Sequence, residues 1–356
     1  MSKILHIIPT LGNGGAETLL VETVKELKKN NMTCDVLVLS NVDMYNYREL
    51  EIYADQVIVG NINKVYSVKQ IQLIRRVIKQ NNYEVIHTHL FGAQFFTVLA
   101  TTNLKNKIKY ITTEHSTYNR RRAKFFGRII DKWSYKKYSS VIAISNGVRE
   151  SLVEVYPFLK EKVIVIFNGI NLNLYKNAKK YKKDEISSEF TESDILLIMV
   201  ANFKDSKDHK TLIDAHSMLD GKYKLLLIGE GKNKLYYEEY VKTKKYSNVY
   251  FLGNRSDVPN LLKSSDVFVL SSYWEGFGLV TVEAAATGLP VIGNDITGLK
   301  EVIFALHGTV FESENPTSLK QAIETVIKED RNFSDDVLTQ FSIEKMIKQY
   351  ISIYNL

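Results

Sequence analysis

A single cysteine in 356 residues, Cys34, leaves no internal disulfide to form and favours a reducing compartment. No uninterrupted apolar run is long enough to cross a bilayer. The opening residues, MSKILHIIPT, lack a cleavable signal pattern, and their apolar positions suit a short strand instead. Proline is scarce, at five residues, while lysine, asparagine, isoleucine and tyrosine are abundant, a bias that suggests an AT-rich bacterial genome. Internal repeats and low-complexity tracts are missing as well. Neither sign of charge dominates: 47 Lys and Arg stand against 40 Asp and Glu, a formal net charge of +7. That excess permits an anionic membrane surface, a phosphorylated substrate or a nucleic acid as partner without demanding one. No recognisable nucleic-acid-binding module accompanies it, so no nucleic-acid partner is expected. What remains is 45% hydrophobic and 24% charged, as in a soluble globular protein, with length enough for two domains.

Short apolar runs alternate with helix-period segments along almost the whole chain. Lys3 to Ile8, Asp35 to Leu39, Gln56 to Val59, Glu84 to His87, Lys109 to Thr113, Ser140 to Ile144 and Val163 to Phe167 read as strands. Helices over Ala16 to Asn30, Ser67 to Gln80 and Gly92 to Thr101 separate several of them. The polar stretch Lys176 to Asp194 reads as a surface connection. A second alternation begins at Ile195 and ends in a helix from Ser342 to Tyr354. Strands alternating with helices imply open parallel sheets, with ligands at the carboxyl ends of the strands. The fold class is therefore α/β.

The stretch Ser271 to Pro290, SSYWEGFGLVTVEAAATGLP, organises the second half. It follows an apolar strand, turns through Gly276, Phe277 and Gly278, and opens a helix at Leu279 that stops near Gly288. Backbone N–H groups and the dipole at such a helix start suit phosphate. Glu275 on the turn and Glu283 within the helix suit hydroxyls, because a carboxylate near phosphate needs donors. The pair fits a sugar-bearing diphosphate.

Glu275, seven residues, then Glu283, with glycines after the first glutamate and a trailing Gly-Leu-Pro, resembles the C-terminal signature of GT4 glycosyltransferases. These are retaining, nucleotide-sugar-dependent enzymes of the GT-B fold. The resemblance covers nearly the whole chain. It implies two Rossmann-like domains facing each other across a cleft. Their expected limits are residues 1–170 for an acceptor-binding domain and 171–340 for a nucleotide-sugar-binding domain. Residues 341–356 would form a helix crossing back to the first. Asn168-Gly169-Ile170-Asn171 resembles the family's linker, with Asn171 in the place of its aspartate.

Further stretches carry the resemblance. Gly12-Asn13-Gly14-Gly15-Ala16-Glu17 allows close approach by phosphate or sugar. A dinucleotide fingerprint would want a third glycine where Glu17 stands and an acid at the end of the second strand, whereas Asp35 opens it. The stretch looks like the family's Gly-Gly-Ala-Glu loop, which implies Gly14 and Gly15 near the donor phosphate and Glu17 near the acceptor. His87 and His89, two apart on a strand, face one way; zinc needs three or four ligands and no third accompanies them, so no metal is expected. The resemblance places His89 by the acceptor and gives His115 a hydrogen bond to the transferred sugar. Lys207 fits the lysine that neutralises the donor diphosphate, while Asn202 stands where the family carries arginine. Arg255, after Gly253-Asn254, would lie against the nucleobase.

Tyr118 to Tyr138, YNRRRAKFFGRIIDKWSYKKY, is the most basic segment. Its apolar residues at helical spacing read either as a membrane-surface helix or as core, and burial from Phe126 onward is the expectation. Arg120, Arg121, Arg122 and Lys124 would be exposed, and Arg120 and Arg121 would meet the diphosphate of a lipid-linked acceptor.

The expected activity is retaining transfer of a sugar from a nucleoside diphosphate sugar, with UDP the favoured nucleotide, to a hydroxyl of a glycan or lipid-linked acceptor in bacterial surface-polysaccharide synthesis. Catalytic roles fall to His115, Lys207 and Glu275. Donor contacts fall to Gly14, Gly15, Asn202, Lys207, Arg255, Glu275 to Leu279 and Glu283. No cofactor is expected. The expected location is the cytoplasm, with contact at the inner face of the membrane. Two other readings are a GT-B nucleotide-sugar 2-epimerase and a non-catalytic partner subunit, the latter suggested by Asn202.

Overall fold

Runs of valine, isoleucine and leucine form the strands of this protein, and helices return the chain so that each new strand pairs in parallel. The computed structural model describes residues 3–104, 107–328 and 335–354. The chain divides into two compact units, Met1–Ile170 with Ser342–Leu356, and Asn171–Phe341.

The first unit runs β1 (Lys3–Ile8), α1 (Gly15–Lys29), β2 (Thr33–Val38), α2 (Tyr47–Tyr53), β3 (Gln56–Val59), α3 (Lys69–Gln80), β4 (Val85–His89), α4 (Leu90–Thr101), β5 (Lys109–Glu114), α5 (Phe125–Lys137), β6 (Ser140–Ala143), α6 (Asn146–Val155) and β7 (Val163–Val165). The strands lie in the order β3-β2-β1-β4-β5-β6-β7. All neighbours are parallel, with Ile4 opposite both Cys34 and Val85. Strands β1 and β4 are almost fully buried, as strands covered on both faces must be. The chain builds outward from β1 through β2 to β3, then restarts on the other side at β4. That reversal opens a crevice at the carboxyl ends of β1 and β4.

The second unit runs α7 (Leu172–Lys176), α8 (Lys183–Ile186), β8 (Ile195–Val200), α9 (His209–His216), β9 (Tyr223–Ile228), α10 (Lys234–Lys244), β10 (Val249–Gly253), α11 (Val258–Ser264), β11 (Val267–Leu270), α12 (Leu279–Ala286), β12 (Val291–Asn294), α13 (Lys300–Ala305), β13 (Thr309–Phe311), α14 (Pro316–Val326) and α15 (Asp335–Thr339). Its strands lie in the order β10-β9-β8-β11-β12-β13, again all parallel. The reversal here falls between β8 and β11.

Helix α16 (Ile343–Tyr354) completes the first unit. Ile343, Met346, Ile347, Tyr350 and Tyr354 are buried at the spacing of one helix face. The Ile343 amide donates to the Ile170 carbonyl at 2.9 Å. Lys109 Nζ donates to the Ile353 carbonyl at 2.5 Å, and Tyr354 Oη lies 2.7 Å from His87 Nδ1. Gly169 permits this return, since a Cβ there would sit 2.6 Å from the Ile343 Cα. Among the described residues, no helix is long and apolar enough to cross a membrane.

Several elements escape the sequence pattern. Helix α6 buries only Gly147, Val148 and Leu152, too few for a clear period, and starts because Ser145 accepts from the Val148 amide at 3.1 Å. Strand β13 has three residues, and α8 is a single turn inside the expected connection.

The largest departure is α5. The expectation of a buried stripe from Phe126 is wrong: Phe125, Phe126, Ile129, Ile130 and Trp133 are all exposed. The face turned inward carries Asp131, Ser134 and Tyr135. The cause is the charge at the end of β5. Arg122, expected on the surface, is buried and pairs with Glu114 at 2.7 Å. Tyr135 Oη donates to the same carboxylate at 2.6 Å. Asp131 receives Arg121 Nε at 3.3 Å and Tyr156 Oη at 3.1 Å. Gly127 lets the Arg121 carbonyl approach, since a Cβ would meet that oxygen at 2.2 Å. Buried charges need partners, and the polar face of α5 supplies them.

Candidate active site

In the second unit the loop after β8 is fastened to the chain after β11. Lys207 and Ser272 form a bridge, the Asp208 amide donates to the Ser271 carbonyl at 3.1 Å, and the Tyr273 amide donates to the Ser206 carbonyl at 2.9 Å. Asp208 caps α9 by accepting from the Thr211 amide at 3.1 Å, and Tyr273 Oη donates to the same oxygen at 3.2 Å. Lys207 is thereby fixed at the β8–β11 reversal, where its ammonium pairs with Glu275. Both side chains are largely covered.

The turn behind this pair is shaped by glycine and one buried ring. Gly278 sits in the left-handed region at φ 79° and precedes α12 with no side-chain cap. Phe277 is buried edge-on to Phe341, with ring centres 5.7 Å apart. Glu283 is half-buried on α12. Loss of water raises its carboxyl to about 7, and a hydrogen bond from Tyr175 works in the opposite direction. Asn202 is half-buried on the loop after β8, and Lys204 beside it is exposed. Arg255, beyond β10 and two strands from β8, is exposed and gives its guanidinium fork to Asp257, at 2.8 and 2.7 Å. Lys207, Glu275 and the start of α12 are thus brought together, while Arg255 stands apart.

In the first unit, Gly14 precedes α1, and the carboxylate of Glu17 folds over it: a Cβ on Gly14 would meet Glu17 Oε2 at 2.4 Å. Asn46 holds the loop by donating to the Gly12 carbonyl at 2.7 Å. Gly15 is exposed and Glu17 half-buried. On the neighbouring strands His89 ends β4 and His115 follows β5, with ring centres 5.8 Å apart. Burial lowers the His115 imidazole to about 4 against the pull of Glu114, so it is neutral at pH 7, and its Nε2 is buried without a hydrogen-bond partner. Arg120 is exposed. Arg121 is occupied by Asp131 and lies over the Phe91 ring at 3.2 Å.

The expectation that no third histidine accompanies His87 and His89 is wrong. His6 on β1 stands opposite His87, and the three rings place ligand atoms within 4.8 Å of one another, close enough for a metal ion. Four of their six nitrogens are engaged otherwise. His87 uses Nδ1 on Tyr354 Oη and Nε2 on Thr113 Oγ1, each at 2.7 Å. His6 Nδ1 and His89 Nε2 share one proton across 2.9 Å. Burial lowers His6 to about 3 and His87 and His89 well below the usual range, so the cluster is uncharged at neutral pH. His6 Nε2 and His89 Nδ1 then present one N–H and one lone pair, both buried and unpartnered.

Two family models span this architecture. That of Glycosyltransferase Family 4 matches residues 13–174, and that of the Glycosyl transferases group 1 matches residues 180–339. The chain belongs to the GT4 glycosyltransferases.

This glycosyltransferase is 27% identical to a 41.2 kDa protein in the cps region of Klebsiella pneumoniae, over 99% of both chains. It is 23% identical to the UDP-Gal:alpha-D-GlcNAc-diphosphoundecaprenol alpha-1,3-galactosyltransferase of Escherichia coli, over 99% of this chain and 96% of that one. Among solved structures, Anabaena Alr3699/HepE in complex with UDP and glucose matches with a TM-score of 0.85 and 20% identity over the whole of both chains. The shared feature is the GT-B fold.

Three supporting residues of the glycosyltransferase were not visible in its sequence. Gly298, at φ 89°, faces the Glu275 carbonyl, which a Cβ would meet at 2.4 Å. Asn294 clamps Ser272, accepting from its amide at 3.1 Å and donating to its carbonyl at 2.6 Å. Tyr175 reaches Glu283. Each acts across a long sequence separation, and only Gly298, between a strand end and a helix start, carries a local signal of a tight turn.

Proposed function

We propose that this glycosyltransferase moves a sugar, with retention at the anomeric carbon, from a UDP-sugar to a hydroxyl of a glycan or lipid-linked acceptor in bacterial surface-polysaccharide synthesis. The second unit holds the donor and the first the acceptor. The reading includes work at the inner face of the membrane. The observation that carries it is the Lys207–Glu275 pair beside the uncapped start of α12.

The chemical problem is departure of a diphosphate as negative charge develops on it. Lys207 supplies a point charge, and the N–H groups from Gly276 to Leu279 add fixed dipoles. Glu275 has two tasks: it holds the Lys207 ammonium in place and accepts hydrogen bonds from the donor sugar's hydroxyls. Glu283 accepts the ribose hydroxyls, and Asn202 and Arg255 complete the donor contacts. In the step itself the bond from the anomeric carbon to the phosphate oxygen breaks and a bond to the acceptor oxygen forms on the same face. The acceptor's proton passes to the leaving phosphate. His115, neutral and with a buried unsatisfied nitrogen, hydrogen-bonds the transferred sugar. Gly14 and Gly15 approach the donor phosphate, while Glu17 and His89 line the acceptor side and the exposed Arg120 is available to an acceptor phosphate.

A panel of UDP-, GDP- and ADP-sugars tests this by thermal shift. A UDP-sugar raises the melting temperature most, and Glu283→Ala abolishes that rise. An unchanged rise in the variant removes the ribose assignment. Equal shifts from all three nucleotides remove the choice of UDP.

A further inference from the structure

The inverted helix α5 has no counterpart in the chemistry above. On a wheel of 100° per residue, Phe125, Phe126, Ile129, Ile130 and Trp133 share one arc of about 140°. Phe125 and Phe126 expose 73% and 78% of their surface, and Ile129 exposes 50%. An apolar face this open normally turns inward, and here Asp131, Ser134 and Tyr135 have taken the inner place. Arg128 and Lys132 border the apolar arc on one side, Lys136 falls just inside that same edge, and all three are exposed. Arg128 Nε also donates to the Arg122 carbonyl at 2.6 Å. Among the described residues none of these cations has a carboxylate partner. The only acid in α5 is Asp131, and it is buried. Lys124 and Arg120, just before the helix, are exposed as well. The apolar surface continues into the neighbouring elements, since Trp133 meets Phe95, Phe95 meets Phe91 and Phe91 meets Tyr66, with ring centres 5.5 to 6.3 Å apart.

We infer that this face of α5 docks on an anionic phospholipid bilayer, with Phe125, Phe126, Ile129, Ile130 and Trp133 inserted at the headgroup level and Arg128, Lys132 and Lys136 against lipid phosphates. The proposal builds on the reading of a membrane-carried acceptor and adds which surface meets the lipid. A second copy of the chain fits worse, because a two-fold pairing of this patch brings equal rows of cations together. A bilayer offers what the patch lacks: an apolar layer beneath a sheet of negative charge. Tryptophan and phenylalanine at the boundary, with long cationic side chains reaching the phosphates, match that layering.

The test is co-sedimentation of the full chain with sucrose-loaded vesicles of phosphatidylcholine, with and without phosphatidylglycerol as a third of the lipid. Binding to the anionic vesicles is expected, at least tenfold tighter than to neutral ones and weakened by salt. Phe125→Ser with Phe126→Ser, and separately Lys132→Glu with Lys136→Glu, should each lower that binding at least tenfold. These positions are exposed, so circular dichroism should be unchanged. In a Trp274→Phe background, Trp133 emission should shift to the blue on anionic vesicles. Absence of binding to either vesicle overturns the inference, as does equal binding by the variants. So does a dimer, seen by sedimentation, that the phenylalanine variant splits without any vesicle binding. A UDP thermal shift run in parallel separates the two readings. If the shift persists while vesicle binding fails, the docking surface is wrong and the donor site stands; the reverse result leaves the surface and removes the donor site.

Discussion

The carboxyl ends of the two sheets share a topology and differ in chemistry. In both units the strand order reverses beside a central strand, at β1–β4 in one and β8–β11 in the other. The first reversal is furnished with imidazoles that burial keeps uncharged, His6 bonded to His89 and His87 to Thr113 and Tyr354. The second holds an ion pair and a helix start with no side-chain cap. One parallel-sheet topology thus offers two kinds of crevice: a neutral one that can only exchange hydrogen bonds, and a charged one that can respond to an anion. In the proposed reaction that division gives the first unit only uncharged imidazole hydrogen bonds and gives the second the leaving-group charge together with the carboxylates for the donor's hydroxyls.

Removing the charge should have the largest effect. Lys207→Ala should lower kcat/KM for sugar transfer about 10²- to 10³-fold, the usual loss for one preorganised electrostatic group. A loss below tenfold would show that the second crevice does not depend on its cation, and the contrast between the units would fail. Next comes acid. The folded His6 titrates at about 3 and an unfolded histidine near 6.5, so its stabilisation is complete above pH 6.5 and is lost as pH falls toward 3. Hydrogen exchange should show the first unit losing about 1.4 kcal/mol per pH unit in this window for His6 alone. His6→Asn should flatten the slope, and a pH-independent first unit would contradict the neutral-cluster description. The smallest effect concerns Glu283. Its folded carboxyl sits near 7, above the unfolded value, so its contribution to stability is full below pH 4.5 and fades as pH rises to 7. Ribose hydroxyls need the ionised form, so UDP affinity should weaken below pH 7, by at most about tenfold per pH unit. Titration calorimetry on Glu283→Gln should find that dependence gone.

The parts legible in the sequence are those set by local pattern. Alternating apolar runs located most strands to within a residue or two, and glycines after a strand located the turns at Gly14 and Gly278. Lys207 and Glu275 were recognisable from their neighbours in sequence, and the structure brings them into contact. What stayed hidden depends on pairing between distant segments. His6 becomes the third histidine only because β1 lies beside β4, with His6 opposite His87. Asn294 matters because β12 neighbours β11, which puts its amide against Ser272. The orientation of α5 is hidden in the sequence for a related reason. Its apolar stripe is plain in the sequence, but the inward pull of Asp131 and Tyr135 comes from Glu114, Arg121, Arg122 and Tyr156.

The bond between His87 and Tyr354 joins residues 267 positions apart, and α16 belongs to the unit that begins the chain. The unit from Asn171 to Phe341 is continuous, so a ribosome delivers all of it before any of α16. During biosynthesis the later-made unit is therefore complete first, and the earlier-made one waits, its histidine-lined strands uncovered on the α16 side, for the final helix to arrive.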